Sequence, residues 1–111
     1  MIKVSVMYPY EPGVRFDHGY YRDKHMPLVQ ALLGDSCTYY TIDKGLAGGE
    51  PGSTPTYIGA CHIFSASIEL FQAGMGRHGA EILADIPNYT DIRPVIQVSE
   101  VVVGHPDRPI L

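Results

Sequence analysis

Runs with a period of two and runs with a period near 3.6 alternate along this chain, and their order restricts the fold more than any single motif does. Residues 2–8 put Ile2, Val4, Val6 and Tyr8 on one side and Lys3, Ser5 and Met7 on the other, the pattern of a half-buried strand. Pro9, Pro12 and Gly13 end it, because prolines cannot donate to a ladder. From His18 to Leu33 the spacing becomes helical. His18, Tyr21, His25, Leu28, Val29 and Leu32 then share a stripe about 100° wide, so two histidines are expected to face inward. Asp17 suits the N-cap, Phe16 and Tyr21 are spaced for a hydrophobic staple, and Gly34 suits a left-handed position after the last turn. Pro27 lacks an N–H and leaves the carbonyl of Asp23 without its helical partner, which predicts a kink near Met26.

The second strand is expected over Cys37–Lys44, where aromatic and β-branched residues cluster. Gly48, Gly49, Pro51 and Gly52 make residues 46–55 a long exposed connection. Tyr57–Phe64 is apolar enough for a third strand buried on both faces. Ser65 or Ser67 can cap a second helix with Leu70, Phe71 and Met75 on its inner side and Glu69 near its N-terminus. Gly74, Gly76 and Gly79 predict a break, followed by a short helix over 80–85 anchored by Ile82, Leu83 and Ile86. A turn at Pro87-Asn88-Tyr89 leads to a last strand over Ile92–Val103, with Pro94 near its start or edge. The resulting order, β-α-β-β-α-β, predicts an α+β fold of the ferredoxin-like kind: a four-stranded antiparallel sheet with both helices on one face. The other face would stay bare and partly apolar, so a second copy of the chain is the simplest cover, giving a homodimer. One domain is expected over residues 1–104, followed by a proline-containing tail at 105–111.

Composition removes several function classes. The 111 residues carry a net charge of −4 and no basic patch that could neutralise phosphates, so nucleic acid is not an expected partner. No apolar run approaches the ~20 residues that span a bilayer, and no signal segment precedes the first strand, so a cytoplasmic protein without membrane contact is expected. Cys37 and Cys61 are too few for a disulfide framework and are read as reduced, small apolar strand residues. Two other β-α-β-β-α-β classes fit poorly. Residues 57–64 lack the basic and aromatic pattern of an RNA-recognition strand. Arg15 gestures at a phosphate-cradling loop of the acylphosphatase kind, but Glu11 and Asp17 beside it would repel the anion, so Arg15 is read as a surface residue.

Phe16, Tyr20-Tyr21 and Lys24-His25-Met26-Pro27-Leu28, then Phe64-Ser65, Ile68-Glu69 and Phe71, then Ile82 and Asp85-Ile86-Pro87-Asn88-Tyr89-Thr90 resemble the EthD family, named for ethyl tert-butyl ether degradation. The resemblance runs through nearly the whole chain in the right order. It implies a dimeric α+β barrel in which two ferredoxin-like sheets pack face to face. Members resemble accessory proteins of degradation pathways, some labelled reductases, which makes oxidoreductase chemistry one expectation. Relatives with the same barrel include cofactor-independent monooxygenases, polyketide cyclases, lactone isomerases and haem enzymes, so the fold alone selects no activity.

Such barrels hold a small-molecule pocket between helices and sheet, which His25 and Tyr21 would line. The expected chemistry is proton transfer, with His25 as general base or acid and Tyr21 donating to a developing oxyanion, on an aromatic or polyketide-like ligand. His62 is expected to face them from the third strand, and His18 and Phe64 join it as substrate-binding candidates. The alternative is structural: an inward histidine satisfied by a carbonyl or a tyrosine hydroxyl, in a non-catalytic accessory or ligand-carrier protein. Tyr20 is expected to point away from His25, and Tyr89 to be a packed turn residue with a bonded hydroxyl. His18 and His25 lie about 10 Å apart along a helix, too far to share one metal ion, and no metal is expected. No cofactor is expected either; haem, which needs an axial histidine and a large apolar cavity, stays an open alternative.

Overall fold

The computed structural model describes residues 1–104, and the tail expected at 105–111 lies outside them. Strands β1 (Ile2–Pro9), β2 (Tyr39–Lys44), β3 (Tyr57–Ser65) and β4 (Val95–Glu100) form one sheet in the order β2-β3-β1-β4, with every neighbouring pair antiparallel. The expected α+β, ferredoxin-like sheet with helices on one face is the fold observed. The register sets the faces. Val4 stands opposite Ile63 and Val98, and Val6 opposite Cys61 and Ile96, all turned toward the helices. Ser5 stands opposite His62 and Gln97, turned the other way.

The first helical segment begins as expected. The Tyr20 N–H donates to Oδ1 of Asp17 at 3.0 Å, and the Phe16 and Tyr21 rings meet at 5.1 Å. The proline is accommodated differently from a simple kink. A turn of α-helix, α1 (His18–Tyr20), passes into a π-helical turn over Tyr21–His25 before α2 (Met26–Leu33). Met26 N–H donates five residues back to the Tyr21 carbonyl, so the irregularity is a widened turn placed just ahead of Pro27. Gly34 then reverses the chain with φ +53°, a conformation that a side chain would strain.

The second helix corrects an expectation. α3 (Ile68–Asp85) runs unbroken through Gly74, Gly76 and Gly79, capped by Ser67, whose hydroxyl accepts the Leu70 N–H at 3.1 Å. A Cβ on Gly74 would sit 2.6 Å from Oγ and 2.9 Å from Cβ of buried Ser36. That glycine permits close approach to the chain after α2, and the packing gained outweighs its poor helix propensity. Leu83, expected as an anchor, is 59% exposed. β3 is not buried on both faces: Cys61 and Ile63 are buried, whereas His62 and Phe64 on the open face are half-buried. β2 starts at Tyr39, which leaves buried Cys37 just outside the strand, and β4 is shorter than expected, starting after Pro94. Among the described residues no helix is long and apolar enough to cross a membrane.

Candidate functional site

His25 closes the π-helical turn with its side chain against the sheet, 3% exposed. Its Nδ1 lies 2.8 Å from Oδ2 of Asp85, the last residue of α3. Oδ1 of the same carboxylate accepts from the Tyr20 hydroxyl at 2.7 Å and from Nδ2 of Asn88 at 2.9 Å. Burial alone would push the Asp85 carboxyl up, but the Tyr20, His25 and Asn88 donors together hold it below the usual carboxylate range. An ionised carboxylate only accepts, so Nδ1 carries the proton and Nε2 is left with a lone pair. Burial lowers the His25 pKa, outweighing the opposing pull of Asp85, so the ring is neutral at pH 7.

The ring is held on both sides. Tyr21 stacks on it with centroids 5.6 Å apart and planes 13° apart, and Tyr89 meets it at 4.5 Å. Tyr89 has no exposed surface and shares a 2.6 Å hydrogen bond with the Tyr8 hydroxyl, the packed role read from the sequence. The Tyr21 hydroxyl is different. It is sealed from solvent near Tyr8 and Cys61, yet has no partner at hydrogen-bonding geometry among the described residues. Burial raises its pKa strongly, and Cys61 is raised to about 11 by the same cause, so both stay protonated.

His25 and Tyr21 line a cavity of about 140 Å³ between helices and sheet. Its walls are otherwise apolar, with Val4, Val6 and Ile63 from the sheet and Phe71, Met75 and Ile82 from α3. Exposed Leu83 and Ile96 lie at its margin, which places its opening between the end of α3 and β4. Nε2 of His25 has no protein partner among the described residues and is the polar atom available to an occupant.

The remaining sequence candidates lie elsewhere. His62 does not face His25, because strand alternation puts it on the opposite side of the sheet with Phe64. There both ring nitrogens are occupied, Nδ1 by Oγ of Ser5 at 2.7 Å and Nε2 by Oδ2 of Asp43 at 3.1 Å. Phe64 stacks on Tyr39 at 4.2 Å. A groove of about 350 Å³ covers that face beside His62, but it meets a histidine with no free nitrogen. His18 packs on Phe16 at 4.7 Å, one turn away from the cavity, with its pKa lowered by burial and then by Lys44. Arg15 is an exposed residue paired with Asp91 at 3.0 Å, as read.

Sequence reasoning missed Asp85, Asn88 and the turning-in of Tyr20. In a regular α-helix, residues five apart stand about 140° apart, which sends Tyr20 away from His25. The π-helical turn winds less per residue and brings both onto Asp85. Asp85 and Asn88 stood in a motif already legible in the sequence, with nothing local to say whom they would meet.

The model of the EthD domain matches residues 14–93, well over half of the chain. The crystal structure of an EthD-like protein from Ralstonia eutropha JMP134 is 59% identical, with a TM-score of 0.93 over 96% of each chain. An ethyl tert-butyl ether D (EthD) family protein from Bacillus halodurans C-125 is 16% identical, with a TM-score of 0.67 over 90% of this chain and 97% of its own, a likeness of fold alone. No curated protein matches.

Proposed function

Because the chain belongs to the EthD domain family, we propose that it binds a compact apolar or aromatic molecule between helices and sheet and moves a proton on it through His25. The observation that carries this reading is the His25–Asp85 pair opening on an apolar cavity with Nε2 unpartnered. Asp85 fixes the tautomer and stabilises the imidazolium that forms. Nε2 takes a proton from an acidic C–H or O–H and returns it at the same or a neighbouring atom, the step common to isomerase-, cyclase- and cofactor-independent oxygenase-type reactions. The volume narrows the ligand. About 140 Å³ suits one ring rather than a fused polyketide. Asp85, Tyr20 and Asn88 act as positioning residues.

The working unit we propose is a homodimer whose sheets pack face to face into an α+β barrel. The open face of the sheet supports it: among the described residues no helix covers that face, which carries Met7, half-buried Phe64 and exposed Val95 beside Ser5 and His62. Light scattering at micromolar concentration should give twice the 12.2 kDa chain mass, and a monomer there would remove the dimer.

Proton transfer is testable without the natural substrate. Cyclohexanone in D2O should exchange its α-hydrogens faster with the protein than with buffer, and His25→Ala should abolish the excess in a chain that stays folded. Equal exchange by both proteins would overturn the catalytic role. The second reading, a ligand carrier in a degradation pathway, is favoured by a cavity smaller than the ~300–1,000 Å³ common for ligand sites.

A further inference from the structure

The rim of the cavity has a feature that neither proton transfer at His25 nor a sheet-to-sheet dimer uses. Leu83 and Ile96 at its margin are each 59% exposed, and Val98, one strand period beyond Ile96, is 44% exposed. Ile96 and Val98 stand opposite Val6 and Val4 on the helix side of the sheet, so a partner packed on the open face leaves them in solvent. An apolar strip therefore starts at the mouth and runs outward along β4. Exposed apolar surface continuous with a cavity marks a groove whose occupant extends past the enclosed part.

The enclosed part takes only a head. About 140 Å³ holds one ring and little more. Inside, Nε2 of His25 accepts a hydrogen bond, and no Asp, Glu, Lys or Arg lines the wall. An uncharged head that donates meets both conditions, since a charged one would lose its hydration with no counter-ion in return. Any further apolar part of the molecule leaves through the mouth, between Leu83 and Ile96.

Given that this cavity is the binding site proposed above, we infer that its ligand is a neutral ring with a hydrogen-bond-donating group at the end held on His25 and an apolar arm at the other end, laid over Leu83 and Ile96. These two residues then discriminate ligands by the length and position of the arm, and Val98 extends the strip for longer arms.

Three alkylphenols serve as probes. para-Cresol and para-butylphenol differ in arm length, whereas para- and ortho-butylphenol have the same atoms and differ only in where the arm points. Titrations followed by NMR of the protein at pH 7 should show para-butylphenol binding about five- to tenfold more tightly than para-cresol, the gain of three methylenes half-buried on an open lip. ortho-Butylphenol, whose arm is driven into the wall beside His25, should bind at least about tenfold more weakly than its para isomer. The double variant Leu83→Asn/Ile96→Thr, changed only at exposed positions, should keep para-cresol within about twofold and bring para-butylphenol within about twofold of it. No gain from the longer arm, equal binding of the two isomers, a double variant that weakens both para probes equally or neither, or no binding of any probe would each overturn the inference. The outcome is separable from the exchange experiment. His25→Ala with undiminished cyclohexanone exchange removes the catalytic reading alone, and loss of arm discrimination with exchange intact removes this inference alone.

Discussion

Nδ1 of His25 and Oδ2 of Asp85 lie 2.8 Å apart although sixty residues separate them, and a π-helical turn on one side and the last residue of α3 on the other bring them together. The same carboxylate holds Tyr20 and Asn88, so one side chain ties the first helical segment to the end of α3 and sets the tautomer of the histidine facing the cavity. Asp85 therefore has a positional role that charge alone does not describe.

Asp85→Asn tests that role. An amide can present its NH2 to Nδ1 and leave the proton on Nε2, the wrong nitrogen for a base. Cyclohexanone exchange should fall by about 10²-fold with toluene binding unchanged. A variant with unaltered exchange would show that the carboxylate does not orient the base.

The pH dependence of stability follows from the lowered pKa of His25. Its value in the fold lies below the unfolded 6.5, so the unfolded chain takes up the proton first. Stability from this group is present above about pH 6.5 and drains away as pH falls from there toward the folded pKa. Asp85 adds a second window with the same sign, below its ordinary 3.8. Urea unfolding at pH 8, 6.5 and 5 should show the loss beginning below 6.5, and His25→Gln should flatten it. Parallel profiles for the two proteins would place the titration elsewhere.

Gly74→Ala asks whether close packing, rather than flexibility, keeps that glycine in α3. Ser36 is buried and short, so it cannot swing clear of the new methyl. The substitution should destabilise by about 1–3 kcal/mol despite alanine's better helix propensity. A stabilised variant would show that the chain after α2 can move aside.

The ligand-free protein should gain from Tyr21→Phe. Removing a buried hydroxyl with no partner relieves its desolvation cost, about 1 kcal/mol, and keeps the ring that stacks on His25. A thermal midpoint raised by a few degrees would show that the hydroxyl is unsatisfied in the native protein. A lowered midpoint would show that the hydroxyl is satisfied in the native protein.

The order of strands and helices, the Asp17 cap, the Phe16–Tyr21 staple and the inward His25 were legible because each follows from short-range periodicity or capping. The continuity of α3 was not, since Gly74 is explained only by Ser36, thirty-eight residues earlier. His62 was mistaken for a partner of His25 although alternation alone separates it: Cys61 and Ile63 are the residues of β3 that face the helices. Pro27 signalled an irregularity, but not that a widened turn would aim Tyr20 and His25 at one carboxylate.

The central claim, a neutral His25 offering Nε2 to the cavity, is read most directly by 15N NMR of the imidazole across a pH titration. The expected spectrum at pH 7 has a protonated Nδ1 and a bare Nε2, with a titration midpoint below 6.5. A proton on Nε2 at pH 7, whether as the other tautomer or as imidazolium, would contradict it.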